Sequence, residues 1–261
     1  MDYALICLVA LLASGLTFFS GFGLGTLLLP AFALFFPPAV AVGLTALVHF
    51  ANSLFKLVLM GRHADRGVVL RFGLPALAAS LLGAWLLTRL AGLPVLATWS
   101  WGESVHTITL LKVVLALLML AFALEEVLPL PKGGTLDRRH LPLGGVLSGF
   151  LGGLSGHQGA LRSSFLIRAG LSKEAFVGTG SVISGLVDLS RLGVYAWGLW
   201  LTGHHGIPQG KAPLVVAAAL AAFVGASLGK RLLKKVEVDT IRRIVSVLLV
   251  AVALGLGSGL L

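Results

Sequence analysis

Apolar runs long enough to cross a bilayer recur along this chain, and no other feature narrows its fold as far. Stretches such as Ala39 to Met60, Val68 to Leu90 and Leu214 to Leu232 match or exceed the roughly 18 apolar residues that mark a membrane helix. A single water-soluble core has no room for so many. Of the 261 residues, 57% are apolar and 11% charged, against about 25% charged in an ordinary globular domain, and the mean hydropathy is +0.99. A soluble fold is excluded and the lipid bilayer is the expected solvent. The formal net charge of +10 does not point to nucleic acid, because the basic residues form no patch or tail. They fall mostly in short breaks between apolar runs, where positive charge marks the cytoplasmic side. Cys7 is the only cysteine, so no intrachain disulfide and no thiolate metal cluster is expected, and neither a metal nor a cofactor is implied. Met1-Asp2-Tyr3 lacks the basic n-region of a cleavable signal, so none is expected.

Sliding the chain against itself by 134 residues lays Ser14-Gly15 on Ser148-Gly149, Gly25 on Gly159 and Thr45 on Thr179. One further residue of slip brings Lys56 onto Arg191, and Ser80 to Leu90 then resembles Ala222 to Leu232. The series of matches in chain order predicts a duplication, with a first repeat over 1–128, a cytoplasmic linker over 129–141 and a second repeat over 142–261. In the first repeat the apolar segments are Tyr3 to Phe19, Leu24 to Phe36, Ala39 to Met60, Val68 to Leu90 and Val105 to Leu128. In the second they are Pro142 to Leu154, Ala160 to Ala169, Glu174 to Leu199, Leu214 to Leu232 and Thr240 to Leu261. The second segment of each is too short to cross, reaching roughly 20 Å or less against about 30 Å of hydrocarbon. Gly-rich breaks at Ser20 to Gly25 and Ser155 to Gly159 separate it from the first. The expected fold is an all-α polytopic membrane protein of two inverted repeats, each a broken re-entrant helical hairpin plus three transmembrane helices.

Inversion follows from the basic residues. Arg62, Arg66 and Arg71, then Lys132, Arg138 and Arg139, and finally Lys230, Arg231, Lys234, Lys235, Arg242 and Arg243 mark three cytoplasmic stretches. The loop counterpart of the last, Gly92 to Ser104, must lie outside. Arg162, Arg168 and Lys173 put the exit of the second hairpin on the side where it began. In this topology 15 of the 20 basic residues are at or near the cytoplasmic face, and both chain termini are extracytoplasmic. A multi-pass protein of a bacterial inner membrane fits, and a homodimer is compatible with the sequence. Trp99, Trp101, Trp197 and Trp200 fall near the outer face, where aromatic rings anchor at the headgroups.

Inverted repeats with discontinuous helices are the construction of many secondary transporters, which open one midplane site to each side in turn. Irregular backbone at that depth must be covered by protein or line a cavity, and a helix that starts there aims free N–H groups and a positive dipole end inward. Gly23, Gly25 and Thr26 in one break, and Gly156, His157, Gln158 and Gly159 in the other, are therefore candidate ligands for a small anion. Glycine also serves close helix packing in membranes, and either use suits these positions. The helix after each hairpin carries a polar stripe at three- and four-residue spacing: Thr45, His49, Asn52, Ser53 and Lys56 in the first, Thr179, Ser181, Ser184, Asp188 and Arg191 in the second. His49, Asn52, Thr179, Ser184 and Arg191 join the substrate candidates, with Arg162 as a planar fork for a sulfonate, sulfite or carboxylate. His49, His157 and Asp188 are candidates for carrying a coupling proton. Bland readings stand beside these: Lys56 snorkelling to the cytoplasmic headgroups, and Asp188 pairing with Arg191 one turn on.

Ser14-Gly15 to Gly25 with Pro30, and Ser148 to Gly159 followed by Gly178-Thr179-Gly180-Ser181 and Arg191 to Tyr195, resemble the duplicated motifs of the sulfite exporter TauE/SafE family of permeases. The resemblance spans nearly the whole chain and implies a non-enzymatic transporter of small sulfur-containing anions, sulfite or organosulfonates, exchanged against the proton gradient. His157-Gln158 departs from the small or apolar residues usual there. Three rivals stand beside this reading, the blandest a membrane scaffold with no substrate. A passive anion channel would use the same ligands. An intramembrane serine protease has one hook, Gly153-Leu154-Ser155-Gly156, but it needs a base within hydrogen-bond reach of the serine; His204 and His205 are expected in an external loop, and His157 is expected to be poorly placed.

Overall fold

The computed structural model describes residues 2–16, 18, 23–128, 137–201, 210–232 and 238–261. Ser20, Gly21 and Phe22 of the first break, Lys132 in the linker, His204 and His205, and Lys234 and Lys235 lie outside the described residues. The fold is helical. In chain order the helices are α1 (Asp2–Leu16), α2 (Leu24–Ala33), α3 (Pro38–Met60), α4 (Arg66–Ala91), α5 (Leu110–Val127), α6 (Leu141–Ser155), α7 (Gly159–Arg168), α8 (Lys173–Leu201), α9 (Ala212–Leu232) and α10 (Val238–Ser258). By length and composition three described helical stretches suffice to cross a membrane, Pro38–His63, Arg66–Ala91 and Ala212–Gly229. Helix α8 has 29 residues, roughly 43 Å at 1.5 Å per residue, but carries Asp188 and Arg191 in its middle.

Local chemistry sets the helix ends. Pro38 opens α3 at a position where its missing N–H costs nothing. Asp65 caps α4 by accepting from Val68 N at 2.9 Å, and Thr109 caps α5 by accepting from Lys112 N at 3.3 Å. Within α4, residues Val69–Gly73 form a π turn just before Pro75, whose ring and absent N–H disrupt the regular ladder there. Gly156 closes α6 with φ 84°, a left-handed cap that a β-carbon would strain.

One boundary is corrected. Gly92 to Ser104 is not a plain loop and Val105 to Leu128 not one apolar span: β1 (Val95–Trp101) and β2 (Ser104–Thr109) pair antiparallel, with Trp99 opposite His106, and α5 begins only at Leu110. Ser-Val-His-Thr-Ile-Thr alternates with period two and is rich in β-branched residues, a strand pattern; counting apolar residues alone merged it with the helix that follows. The hairpin grips the end of α10, with Trp99 Nε1 donating to Ser258 O at 2.7 Å.

The two halves interlock through glycine. The first arm of each hairpin packs on the fourth helix of the other half, α6 on α4 and α1 on α9. A β-carbon on Gly145, Gly149 or Gly153 would strike the backbone of Phe72, Ala76 or Ser80, and one on Gly225 or Gly229 would strike Leu11 or Gly15. These small residues let backbones touch, so the packing use of glycine holds along both first arms. Between these interfaces α3 meets α8, and α5 meets α10. Gly178 and Thr179 near the start of α8 lie against Met60 and Asp65 past the end of α3, so these two helices run antiparallel. They cross where His49 meets Asp188.

Candidate functional site

At that crossing the Asp188 carboxylate, with no exposed surface, gathers donors from both halves. Arg191, one turn along the same helix, donates to Oδ1 through Nη2 at 2.7 Å and Nε at 3.0 Å. Gln158, from the second break, donates to the same oxygen at 3.2 Å. His49 Nδ1 lies 2.6 Å from Oδ2 and Ser53 donates to it at 3.4 Å. A carboxylate held against a guanidinium accepts, so His49 carries its proton on Nδ1. An isolated charge at this depth would be prohibitively costly, and pairing plus hydrogen bonds to both carboxylate oxygens is what permits it. The pairing of Asp188 with Arg191 is therefore present, and it extends to His49, Gln158 and Ser53 rather than ending at one helix turn.

The two breaks meet beside this cluster. A β-carbon on Gly25 would stand 3.1 Å from Gly156 O and 3.5 Å from His49 Cδ2, so the tips of both hairpins touch and the glycine makes room for the imidazole. Gly23 precedes α2 with φ 113°, a conformation that side-chain-bearing residues rarely adopt.

On the side of the cluster toward the end of α3 and the start of α8 lies a cavity of ≈ 40 Å³, room for a few waters or one small polyatomic ion. Its polar wall is His49, Asn52, Ser53 and Lys56 from α3, Arg162 from α7, and Ser181 and Ser184 from α8; Phe18, Leu24, Leu166, Phe176, Val177 and Gly180 also line it. No Asp or Glu is among its described lining residues. Its donors are already oriented. Ser14 donates to Asn52 Oδ1 at 2.9 Å, which leaves the amide N–H₂ as the donor end of Asn52. Arg162 Nη1 donates to Ser184 Oγ at 2.5 Å, freeing the serine O–H to donate elsewhere. Lys56 Nζ stands 5.3 Å from the centre of the Phe18 ring, a cation–π contact. Lys56 thus lines the cavity and does more than reach for headgroups.

Of the residues singled out from sequence, His49, Asn52, Arg162 and Ser184 line the cavity, Asp188, Arg191 and Gln158 form the cluster behind it, and Gly25 and Gly156 join the two breaks. Others lie apart. Thr179 Oγ1 accepts from Asp65 N at 2.9 Å, fastening α8 to the turn after α3. Thr26 and Gly159 are buried in the first turns of α2 and α7. His157 turns away from the cavity: its ring stacks on Phe122 with centroids 4.9 Å apart. Its Nδ1 lies 3.1 Å from Ser155 Oγ, so the expectation that His157 is poorly placed toward that serine is corrected. Ser155 itself donates to Leu151 O at 3.1 Å, and both residues are about 1% exposed. Ser53, Lys56 and Ser181 were legible only as members of the stripes, and Phe18, beyond the end of α1, gave no periodic signal.

Residues 6–256 match the family model described as Sulfite exporter TauE/SafE. The chain belongs to this family. No curated protein matches it. Membership implies a membrane permease that exports sulfite or related sulfur-containing anions.

Proposed function

We propose that the chain is a secondary transporter of small sulfur-containing anions, sulfite or an organosulfonate, that works by alternating access around the meeting point of the two hairpins and is coupled to protons. The observation that carries this reading is the cavity holding Lys56 and Arg162 on one side of the Asp188 cluster. An anion entering there finds two cations, the Asn52 amide and serine hydroxyls, and is stopped by Asp188, Gln158 and Arg191. Reaching the other side requires the contacts of Asp188 to rearrange, and His49, which borders the cavity and bonds Asp188, is placed to exchange a proton as they do.

The reading includes an inversion of the two repeats, and several contacts support it. The same order of helices recurs, α3 runs antiparallel to α8, and each first arm packs on the other half's fourth helix, as a two-fold axis in the membrane plane requires. The cavity then opens at the end bearing Arg62, Arg66, Arg138 and Arg139, the cytoplasmic side by charge, with both termini outside. The decisive experiment is flux in proteoliposomes with an imposed pH difference: sulfite or an organosulfonate moving uphill, saturably and at the expense of the proton gradient, is the expected result. Purely downhill and unsaturable flux would replace the transporter with a channel.

A further inference from the structure

Resting on the reading of the cavity as the anion site, we propose that Ser14, in the first arm of the first hairpin, is a positioning residue for anion binding: it holds the carbonyl end of the Asn52 amide so that the N–H₂ end meets the anion. Asn52 is buried and lines the cavity. Ser14 has no exposed surface and reaches across from α1 to donate to Asn52 Oδ1 at 2.9 Å. An asparagine amide carries an acceptor on one side and two donor hydrogens on the other, and half a turn about its last bond exchanges them. In a cavity that also holds Lys56, one turn along the same helix, that exchange has a preferred direction. A carbonyl without another partner is drawn to the ammonium and stands where an oxygen of the anion has to go. Engaging Oδ1 elsewhere removes that competitor and leaves the anion two oriented hydrogens.

The duplicated serine shows that this contact is not part of a scaffold both halves share. Ser148 is the counterpart of Ser14 in the repeat, and the residue level with Asn52, fourteen beyond the first residue of its helix, is Val187. Valine offers no polar side-chain atom, and Ser148 donates instead to Gln158 O at 2.9 Å, tying the second break to its own first arm. One serine fastens backbone, while the other orients a side chain in the cavity wall. Loss of the Ser14 hydroxyl should therefore be felt by the anion.

Asn52 is the only asparagine in the sequence, so a chain made with asparagine carrying nitrogen-15 in its side-chain amide reports on this one group through a single N–H₂ pair of NMR signals. The test is titration of the purified full chain in detergent with sulfite at one fixed pH, followed by that pair and by calorimetry. In wild type the pair is expected to shift and to saturate together with the heat. Ser14→Ala is expected to weaken sulfite binding by about tenfold or more and to leave the pair nearly unmoved at saturation. In an Asn52→Leu background the same change is expected to weaken binding no further. If Ser14→Ala does not fold by thermal melt, Ser14→Cys, whose thiol is a weak donor, takes its place. A folded Ser14 variant that binds and shifts as wild type does, or losses that add in the double variant, overturn the proposal and leave the cavity as the anion site. No sulfite binding by wild type, or binding that neither moves the pair nor weakens in Asn52→Leu, overturns the reading of the cavity and the proposal with it.

Discussion

Lys56 and Arg191 stand at matching places, each eighteen residues beyond the first residue of its helix, Pro38 or Lys173, yet their surroundings differ. Arg191 has no exposed surface and is locked on Asp188. A further contact lies one turn on, where Tyr195 donates to Gly153 O in the first arm of the same half's hairpin. Lys56 faces a cavity and an aromatic ring. The residue level with Asp188 in the other helix is Ser53, fifteen residues beyond Pro38 as Asp188 is beyond Lys173, so the first helix has no carboxylate of its own to clamp Lys56. A single Asp-for-Ser difference therefore divides one side of the protein, held by an ion pair, from the other, where the cation faces a cavity.

The sharpest way to break this contrast is to remove each cation in turn. Arg191→Met strands Asp188 without its main partner and is expected to destabilise the fold by about 3–5 kcal/mol, whereas Lys56→Met is expected to stay within about 1 kcal/mol of wild type. Thermal or denaturant melts of the two purified variants decide it, and equal losses would erase the distinction. A smaller effect is expected from weakening the carboxylate's other anchor. Gln158→Leu removes one charge-assisted bond and is expected to cost about 1.5–3 kcal/mol, with a double-mutant cycle against Asp188→Asn reporting a coupling that a mere packing defect would not give. The cation–π contact is weaker still: Phe18→Leu is expected to cost about 0.5–1 kcal/mol and to leave Arg191 untouched, as melts of the single and Arg191→Met double variants would show by additivity. The smallest change is at Thr45, whose buried Oγ1 has no hydrogen-bond partner among the described residues. Thr45→Val is expected to be neutral or stabilising by up to about 1 kcal/mol, and a destabilisation beyond that would mean the hydroxyl is used.

Much of this was legible beforehand because bilayer physics leaves few choices. Apolar run length and the glycine breaks placed the helices, with α2 starting at Leu24 and α7 at Gly159 where the breaks end. The stripes on α3 and α8 held every polar member of the cavity and cluster except Ser14, Arg162 and Gln158, since side chains that avoid lipid must share a helix face. What the sequence did not yield were relations across the fold. Periodicity shows that Lys56 and Arg191 share a register, but which one meets a carboxylate depends on the crossing of α3 and α8. His157 and Gln158 adjoin in the chain and part in space, one stacked on Phe122, the other on Asp188, because a tight break aims successive side chains in different directions. The β-hairpin was missed because apolar content hid a two-residue alternation.

The exchanged glycine seams also constrain how the molecule is made. Helix α1 has its tightest partner in α9, and α4 in α6, so the first half leaves the ribosome with two faces whose glycine-bearing mates are not yet synthesised. Helices inserted early must wait in the lipid, unpaired, until almost the last segment arrives. Assembly should then be dominated by contacts distant in sequence, a slow step, and halves expressed as separate polypeptides in one cell should still find each other.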